Sequence, residues 1–200
     1  EKLLEMSALT FRYWFYQFQF PREGSSSNEI EPLKTVYDEI LGRDIPIGWE
    51  SLTLGDIADI RAESVDPSLY PDKSFAYFSI PKFDKYQTFQ IETGGEIRSN
   101  KYVVYENDIL VSKLNPRFNR VIYPVDNPNM ICSTEFVVWR AKDPLFREFL
   151  FQVAQSEHFI KYCSINATGT SNSHKRINPT VMMKYNLGFD KEVVCKFGAL

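Results

Sequence analysis

The chain is poor in the residues from which most catalytic and metal centres are built. Its 200 residues include two histidines, His158 and His174, and three cysteines, Cys132, Cys163 and Cys195. The cysteines are odd in number, widely spaced and without a C-x-x-C pair, which argues against a zinc knuckle or a dithiol redox site. Free thiols fit a reducing cytoplasm, the expected compartment. No stretch reaches the ~18 consecutive apolar residues that a membrane span needs. The opening Glu1-Lys2-Leu3-Leu4-Glu5 lacks the basic-then-apolar order of a secretory leader. The missing initial Met makes a piece of something longer the expectation.

Enzymatic signatures are equally sparse. Gly169 has no partner glycine at the G-x-x-x-x-G-K-[ST] spacing of a phosphate loop, and Gly94-Gly95 reads only as a turn. The nucleophile pattern G-x-S-x-G is missing. Asn115-Pro116-Arg117 lacks the second proline and the aromatic of an adenine-methyltransferase motif, and Pro71-Asp72-Lys73 is followed by no E-x-K of a nuclease. No catalytic residue, cofactor or metal is therefore expected.

Aromatic residues are plentiful: 16 Phe, 11 Tyr and three Trp, 15% of the chain, enough for a substantial core. Residues 1–20 read as a helix that Pro21 ends. Leu4, Ala8, Phe11, Phe15 and Phe18 recur at spacings of four and three, and Leu9, Tyr13, Tyr16 and Phe20 form a second stripe. Such a seam suits pairing with another long helix through Leu4, Phe11, Trp14 and Phe15; the same pattern also fits an ordinary core helix. Residues 21–32 are polar and read as a linker. Beyond them, Thr53 and Asp56 form a capping-box pattern ahead of a helix over 54–60. Runs at 75–80, 101–105, 109–112, 120–125 and 131–139 have strand character. Asp143-Pro144 opens a helix running to about Tyr162, 180–185 reads as a short helix, and another helix begins near Asp190.

The formal net charge is −3, so bulk charge gives no support for nucleic-acid binding. Two windows nevertheless contain no acidic residue. Residues 109–125 hold Lys113, Arg117 and Arg120, and residues 158–189 hold Lys161, Lys175, Arg176 and Lys184. Local positive fields of this kind are what phosphate contacts need. The second window includes Thr170, Ser171, Asn172, Ser173 and His174 in a row, groups able to donate to phosphates or pair with base edges. A solvated polar loop is the other reading of the same stretch.

Several stretches, taken in order, resemble the specificity subunits of type I restriction-modification systems. Residues 8–15, running into Phe18-Gln19-Phe20-Pro21, look like the end of that family's central spacer helix. Ile45-Pro46-Ile47-Gly48-Trp49-Glu50 and Leu54-Gly55-Asp56-Ile57-Ala58 are similar to the opening of a target-recognition domain. Residues 77–84, 108–117, Cys132-Ser133-Thr134-Glu135-Phe136 and Ala167-Thr168-Gly169-Thr170-Ser171 continue the likeness. Each motif is short; six in order are specific.

The resemblance implies a non-catalytic subunit. Its recognition domain would read one half of a split site in double-stranded DNA. Its spacer helices would dock methyltransferase (M) subunits that methylate adenine, and a restriction (R) subunit would cleave. The family has two recognition domains, so this chain is expected to be an excised fragment or a half-sized subunit, with self-association through the helix as a corollary. The expected fold is α+β: a twisted, mostly antiparallel sheet with a few helices over 33–187, a long-helix remnant at 1–20, and the start of a second spacer helix at 188–200. Lys113, Asn115, Arg117, Arg120, Thr170, Ser171, Asn172, Ser173, His174, Lys175 and Arg176 are the expected DNA-facing residues. Lys113 and Arg117 have an alternative role: the Ser112–Arg117 stretch serves the fold, with Arg117 pairing a carboxylate such as Glu135, so base reading falls more on 170–176 than on 112–117. The rival function is a scaffold that docks methyltransferase subunits without reading DNA.

Overall fold

The computed structural model of the chain describes residues 2–22, 33–169 and 174–200. Helix α1 (Lys2–Phe15) ends short of the expected Pro21. The chain leaves the helix because Phe18 takes a left-handed φ of 57° and the Gln19 amide bonds back to the Tyr13 carbonyl. The Phe18 and Phe20 rings then close on Trp49, at centroid distances of 5.3 and 5.9 Å, instead of extending the helical stripe. Most of the expected linker, 23–32, lies outside the described residues.

Strands β1 (Thr35–Asp38) and β2 (Arg43–Pro46) form a hairpin whose turn uses Gly42 at φ 63°. After β3 (Glu50–Thr53) comes the single-turn helix α2 (Leu54–Ile57), opened by the expected reciprocal cap in which Asp56 accepts from the Thr53 backbone and hydroxyl. The helix stops at Ile57, not residue 60, because Ala58–Arg61 pairs into a sheet as β4. Strands β5 (Ser64–Val65) and β6 (Ser74–Phe78) follow. Helix α3 (Ile80–Tyr86) begins where an extended run to Ile80 was expected; Pro81 in its first turn suits a helix start, and Gln87 ends it in a left-handed conformation.

Next come β7 (Gln90–Thr93), β8 (Lys101–Val103), β9 (Asp108–Ser112) and β10 (Val121–Ile122). The expected strand 131–139 is two strands, β11 (Met130–Cys132) and β12 (Phe136–Ala141), separated by a turn in which the Phe136 amide donates to the Ser133 carbonyl. The long helix expected from Asp143 is also two, α4 (Arg147–Gln155) and α5 (Glu157–Ile165). Ser156 between them is extended and caps α5 by accepting from the Phe159 amide, so the break is a built helix start. Helix α6 (Pro179–Met182), strand β13 (Asn186–Phe189) and helix α7 (Lys191–Gly198) complete the chain.

The fold is α+β with antiparallel-rich sheets. One sheet has the order β10-β9-β12-β4 and is antiparallel throughout. A second has the order β5-β8-β11-β6-β7, with β6 and β11 its parallel pair. Two two-stranded ladders, β1-β2 and β3-β13, sit apart. Alternation along β9 and β12 separates two cores. Ile109, Val111, Val137 and Trp139 join the core built with α1, α4, α5 and α7. Leu110, Phe136 and Val138 join the core shared with Ala76, Phe78, Met130 and Cys132 of the second sheet. Both faces are covered, and the sequence therefore reads as an unbroken apolar run instead of alternating.

Phe11, Trp14 and Phe15 of α1 lie inside the first core. The Phe15 ring meets Phe149 at 4.7 Å, Phe197 at 5.4 Å and Trp49 at 5.8 Å. Three of the four residues expected to face another subunit are thus consumed by this chain's own core. Leu4 alone stays out, 58% exposed, alongside Leu3, Met6 and Leu9. Replacing Phe15 with Ala should destabilise the fold by about 3–5 kcal/mol, whereas Leu4→Ala should stay within about 0.5 kcal/mol. Urea unfolding of the two variants checks this; equal effects would mean that α1 is not part of the domain.

Candidate nucleic-acid interface

The two acid-free windows meet in space. β9 ends at Ser112, whose amide donates to the Arg120 carbonyl and so closes a loop over 113–119. Inside that loop a tight turn forms, with the Phe118 amide donating to the Asn115 carbonyl at 2.9 Å. Asn115 takes φ 48°, a left-handed conformation that Asn tolerates better than most residues. The second window folds back on itself: the Thr168 and Arg176 amides each donate to the other's carbonyl, at 2.9 and 2.8 Å. Gly169 sits at φ 153°, and a Cβ there would come within 2.7 Å of the His174 carbonyl oxygen, so the close approach requires glycine.

Backbone bonds then tie the windows together. The Asn115 amide donates to the Lys175 carbonyl at 2.8 Å, and the Ile177 amide donates to the Lys113 carbonyl at 3.1 Å. Leu114 and Arg176 are paired in an antiparallel bridge, and the buried Ile177 side chain anchors the second segment in the core. The Lys113 amide donates in turn to the carbonyl of Glu135, on the turn between β11 and β12.

Glu135 is also the charge anchor. Its carboxylate accepts from Arg176 Nε at 2.9 Å and from Arg176 Nη2 at 3.0 Å, while Arg176 Nη1 reaches the His174 carbonyl at 3.2 Å. These bonds push the Arg176 guanidinium above its ordinary pKa, the Glu135 hydrogen bond being the main cause. The pairing expected between Arg117 and Glu135 is corrected: Arg176 takes that carboxylate, because the 168–176 segment and not the 115–118 turn lies against it. Arg120 is committed as well. Its guanidinium forks onto Asp84 at 2.6 and 2.8 Å, and its side chain is only 12% exposed.

The expected DNA-facing residues therefore separate into groups. Arg176 and Arg120 hold loops in place through carboxylates. Asn115 shapes the turn. Among the described residues no carboxylate pairs with Lys113, Arg117 or Lys175; Arg117 is exposed, with its guanidinium 4.8 Å from the Phe118 ring centre. His174 is exposed at the edge of the second segment. Thr170, Ser171, Asn172 and Ser173 lie outside the described residues. Sequence reasoning missed the anchoring carboxylate Asp84 and the exposed Phe118, and it named Glu135 as an anchor but with the wrong arginine. Acidic residues outside the basic windows carried no local signal, since both pairs span more than thirty residues.

Glu135→Ala should loosen the junction locally. Amide hydrogen exchange at Asn115, Thr168, Arg176 and Ile177 should speed up, while global stability falls by no more than about 1 kcal/mol, as for a partly exposed ion pair. Unchanged exchange at those amides would show that the backbone bonds alone hold the two segments.

The family model described as type I restriction modification DNA specificity domain matches residues 46–187. The specificity subunit of the Escherichia coli type I restriction enzyme EcoAI is 26% identical over 156 residues, which cover 74% of this chain and 26% of that protein. The HsdS subunit from Thermoanaerobacter tengcongensis superposes with a TM-score of 0.60 at 20% identity, over 76% of this chain and 41% of that one. A chain from a study of complex assembly and conformational transition in a type I R-M system gives 0.61 at 23% identity, over 74% of this chain and 39% of that one. These two superpositions bear on the fold, and the chain spans about a quarter of the length of the EcoAI relative. With well over half of its residues matched by that family model, the chain belongs to the type I restriction modification DNA specificity domain family.

Proposed function

We propose that this chain is a non-catalytic, sequence-specific DNA-recognition unit of a type I restriction-modification complex in the cytoplasm, reading one half of a split site in double-stranded DNA. Family membership supports this reading, and one observation carries it at the level of residues. Two acid-free segments, far apart in a chain of net negative charge, are hydrogen-bonded side by side and held by two anchored arginines. Lys113, Arg117 and Lys175 would contact phosphates. His174 and the 170–173 segment would reach base edges, with Arg120, Arg176 and Asn115 fixing the register of the backbone.

Residues 1–20 and 188–200 act in this reading as the ends of two spacer helices flanking a recognition domain over 33–187, with 21–32 as the linker. The packing of α1 on α7, with Trp14 and Phe197 at 5.7 Å, supports the pairing. The exposed Leu3, Leu4, Met6 and Leu9 of α1 offer a face for methyltransferase (M) subunits or for a second copy. An R subunit would join through the assembled complex, and adenine methylation and cleavage would belong to those partners. The scaffold reading, docking without DNA contact, rests on that same apolar face.

Selection of the purified chain against a random duplex pool at two salt concentrations separates the readings. A short enriched half-site, bound more weakly at higher salt, is the expected result; no enrichment at either salt would leave the scaffold. Once a site is known, Lys113→Ala, Arg117→Ala and Lys175→Ala should each weaken binding evenly across sequences and reduce the salt slope by about one. His174→Ala should cost about 1–3 kcal/mol on the selected site and relax one position. Quantitative binding over a salt series reads both, and unaltered slopes for all three cation variants would remove the phosphate assignment.

A further inference from the structure

The 115–118 turn carries a group that phosphate binding does not need. Phe118 leaves 47% of its surface to solvent on an otherwise polar and cationic face. A lone exposed aromatic is ordinary; its support is not. The Arg117 and Arg120 guanidinium carbons lie 4.8 and 4.9 Å from the ring centre. Arg120 is itself immobilised by its fork onto Asp84. The turn beneath the ring is closed by the Phe118 amide on the Asn115 carbonyl and tied to the neighbouring segment through the Asn115 amide on Lys175. The ring is thus held on a fixed turn beside two guanidinium groups, of which Arg120 is paired with Asp84 and Arg117 is exposed.

Duplex DNA offers an apolar partner at a groove edge, the 5-methyl group of thymine, in a setting where the surrounding cations meet phosphates. Insertion of the ring between base pairs is the other apolar mode known for DNA. It requires most of a ring to project, and here more than half of the Phe118 surface is covered.

We propose that Phe118 is a specificity-determining residue that packs its exposed edge against a thymine methyl group in the major groove. The proposal rests on the DNA-reading assignment above. Recognition at that position is apolar, and Arg117 beside it supplies charge without sequence preference.

The test uses the full chain and its Phe118→Ala variant, each selected against a random duplex pool. The wild-type site is then remade with deoxyuridine replacing each thymidine in turn. Wild type should lose affinity about fourfold at one thymidine, the worth of one buried methyl group. Phe118→Ala should be indifferent to that replacement and should select a site degenerate at the same position. Its melting temperature should match wild type, since the ring is not in the core. Tolerance of deoxyuridine at every thymidine by wild type, or an identical site and affinity for the variant, would overturn the proposal. So would a rise in the fluorescence of a 2-aminopurine placed in the site that needs Phe118, because that marks insertion. A wild-type chain that selects no sequence at all would instead remove the DNA-reading assignment itself.

Discussion

Strands β9 and β12 are apolar on both faces, and covering both faces constrains everything around them. Ile109, Val111, Val137 and Trp139 must meet helices on one side; Leu110, Phe136 and Val138 must meet a second sheet on the other. Each fully buried side chain of this size contributes about 1.5–3 kcal/mol, so a one-residue slip that exchanged the faces would have to repack both cores together. Register along these strands is therefore fixed. A fixed register at Ser112, the last residue of β9, in turn fixes where the 113–119 loop leaves the sheet.

Electrostatics follow from that placement. The chain is net negative, yet the surface beyond β9 is basic because its acids are used as internal anchors. Asp84 takes Arg120, Glu135 takes Arg176, and the buried Asp108 takes Arg140 at the opposite end of β9. The first two pairs hold backbone segments in position, and Lys113, Arg117 and Lys175, which among the described residues pair with no carboxylate, lie on the same two joined segments. In the DNA-reading proposal, the geometry offered to a polyanion is set by ion pairs that contribute little net charge of their own. Longer-range fields from the remaining acids are screened beyond about 8–10 Å at physiological salt, so a small basic patch can act despite the total.

Elements with a strong local signal were legible in the sequence. The Thr53–Asp56 cap and the apolar run of β9 each satisfy a nearby chemical demand and are where they were expected, and Asp143 does cap a helical turn, a 3-10 turn (Pro144–Phe146) that leads into α4. The misplaced boundaries occur where a distant partner decides. Ala58–Arg61 leaves its helix for β12, and Phe18 leaves its stripe for Trp49. At the candidate site the two basic windows were visible as missing acids, but their union was not. It depends on the Asn115–Lys175 and Lys113–Ile177 backbone bonds, some sixty residues apart in sequence.

The packing of α1 has a mechanical consequence. Phe11 and Phe15 both touch Phe149 of α4, and α4 and α5 lie against the helix-facing side of β9 and β12, with Phe159 on Trp139 at 5.5 Å. Close-packed aromatic contacts of this kind do not slide gradually; they hold one arrangement or switch to another. The direction of α1 is thereby coupled to the strand whose end carries the candidate interface. In the proposed reading, a partner on the exposed face of α1 would be linked through that core to the 113–119 loop and to Thr168 and Arg176–Ile177 beside it. That coupling is what a subunit needs if it is to fix the distance between a bound partner and a DNA sequence. The apolar residues of α1 are divided accordingly, with Phe11, Trp14 and Phe15 holding the helix to its own domain and Leu3, Leu4, Met6 and Leu9 left outward for the proposed partner.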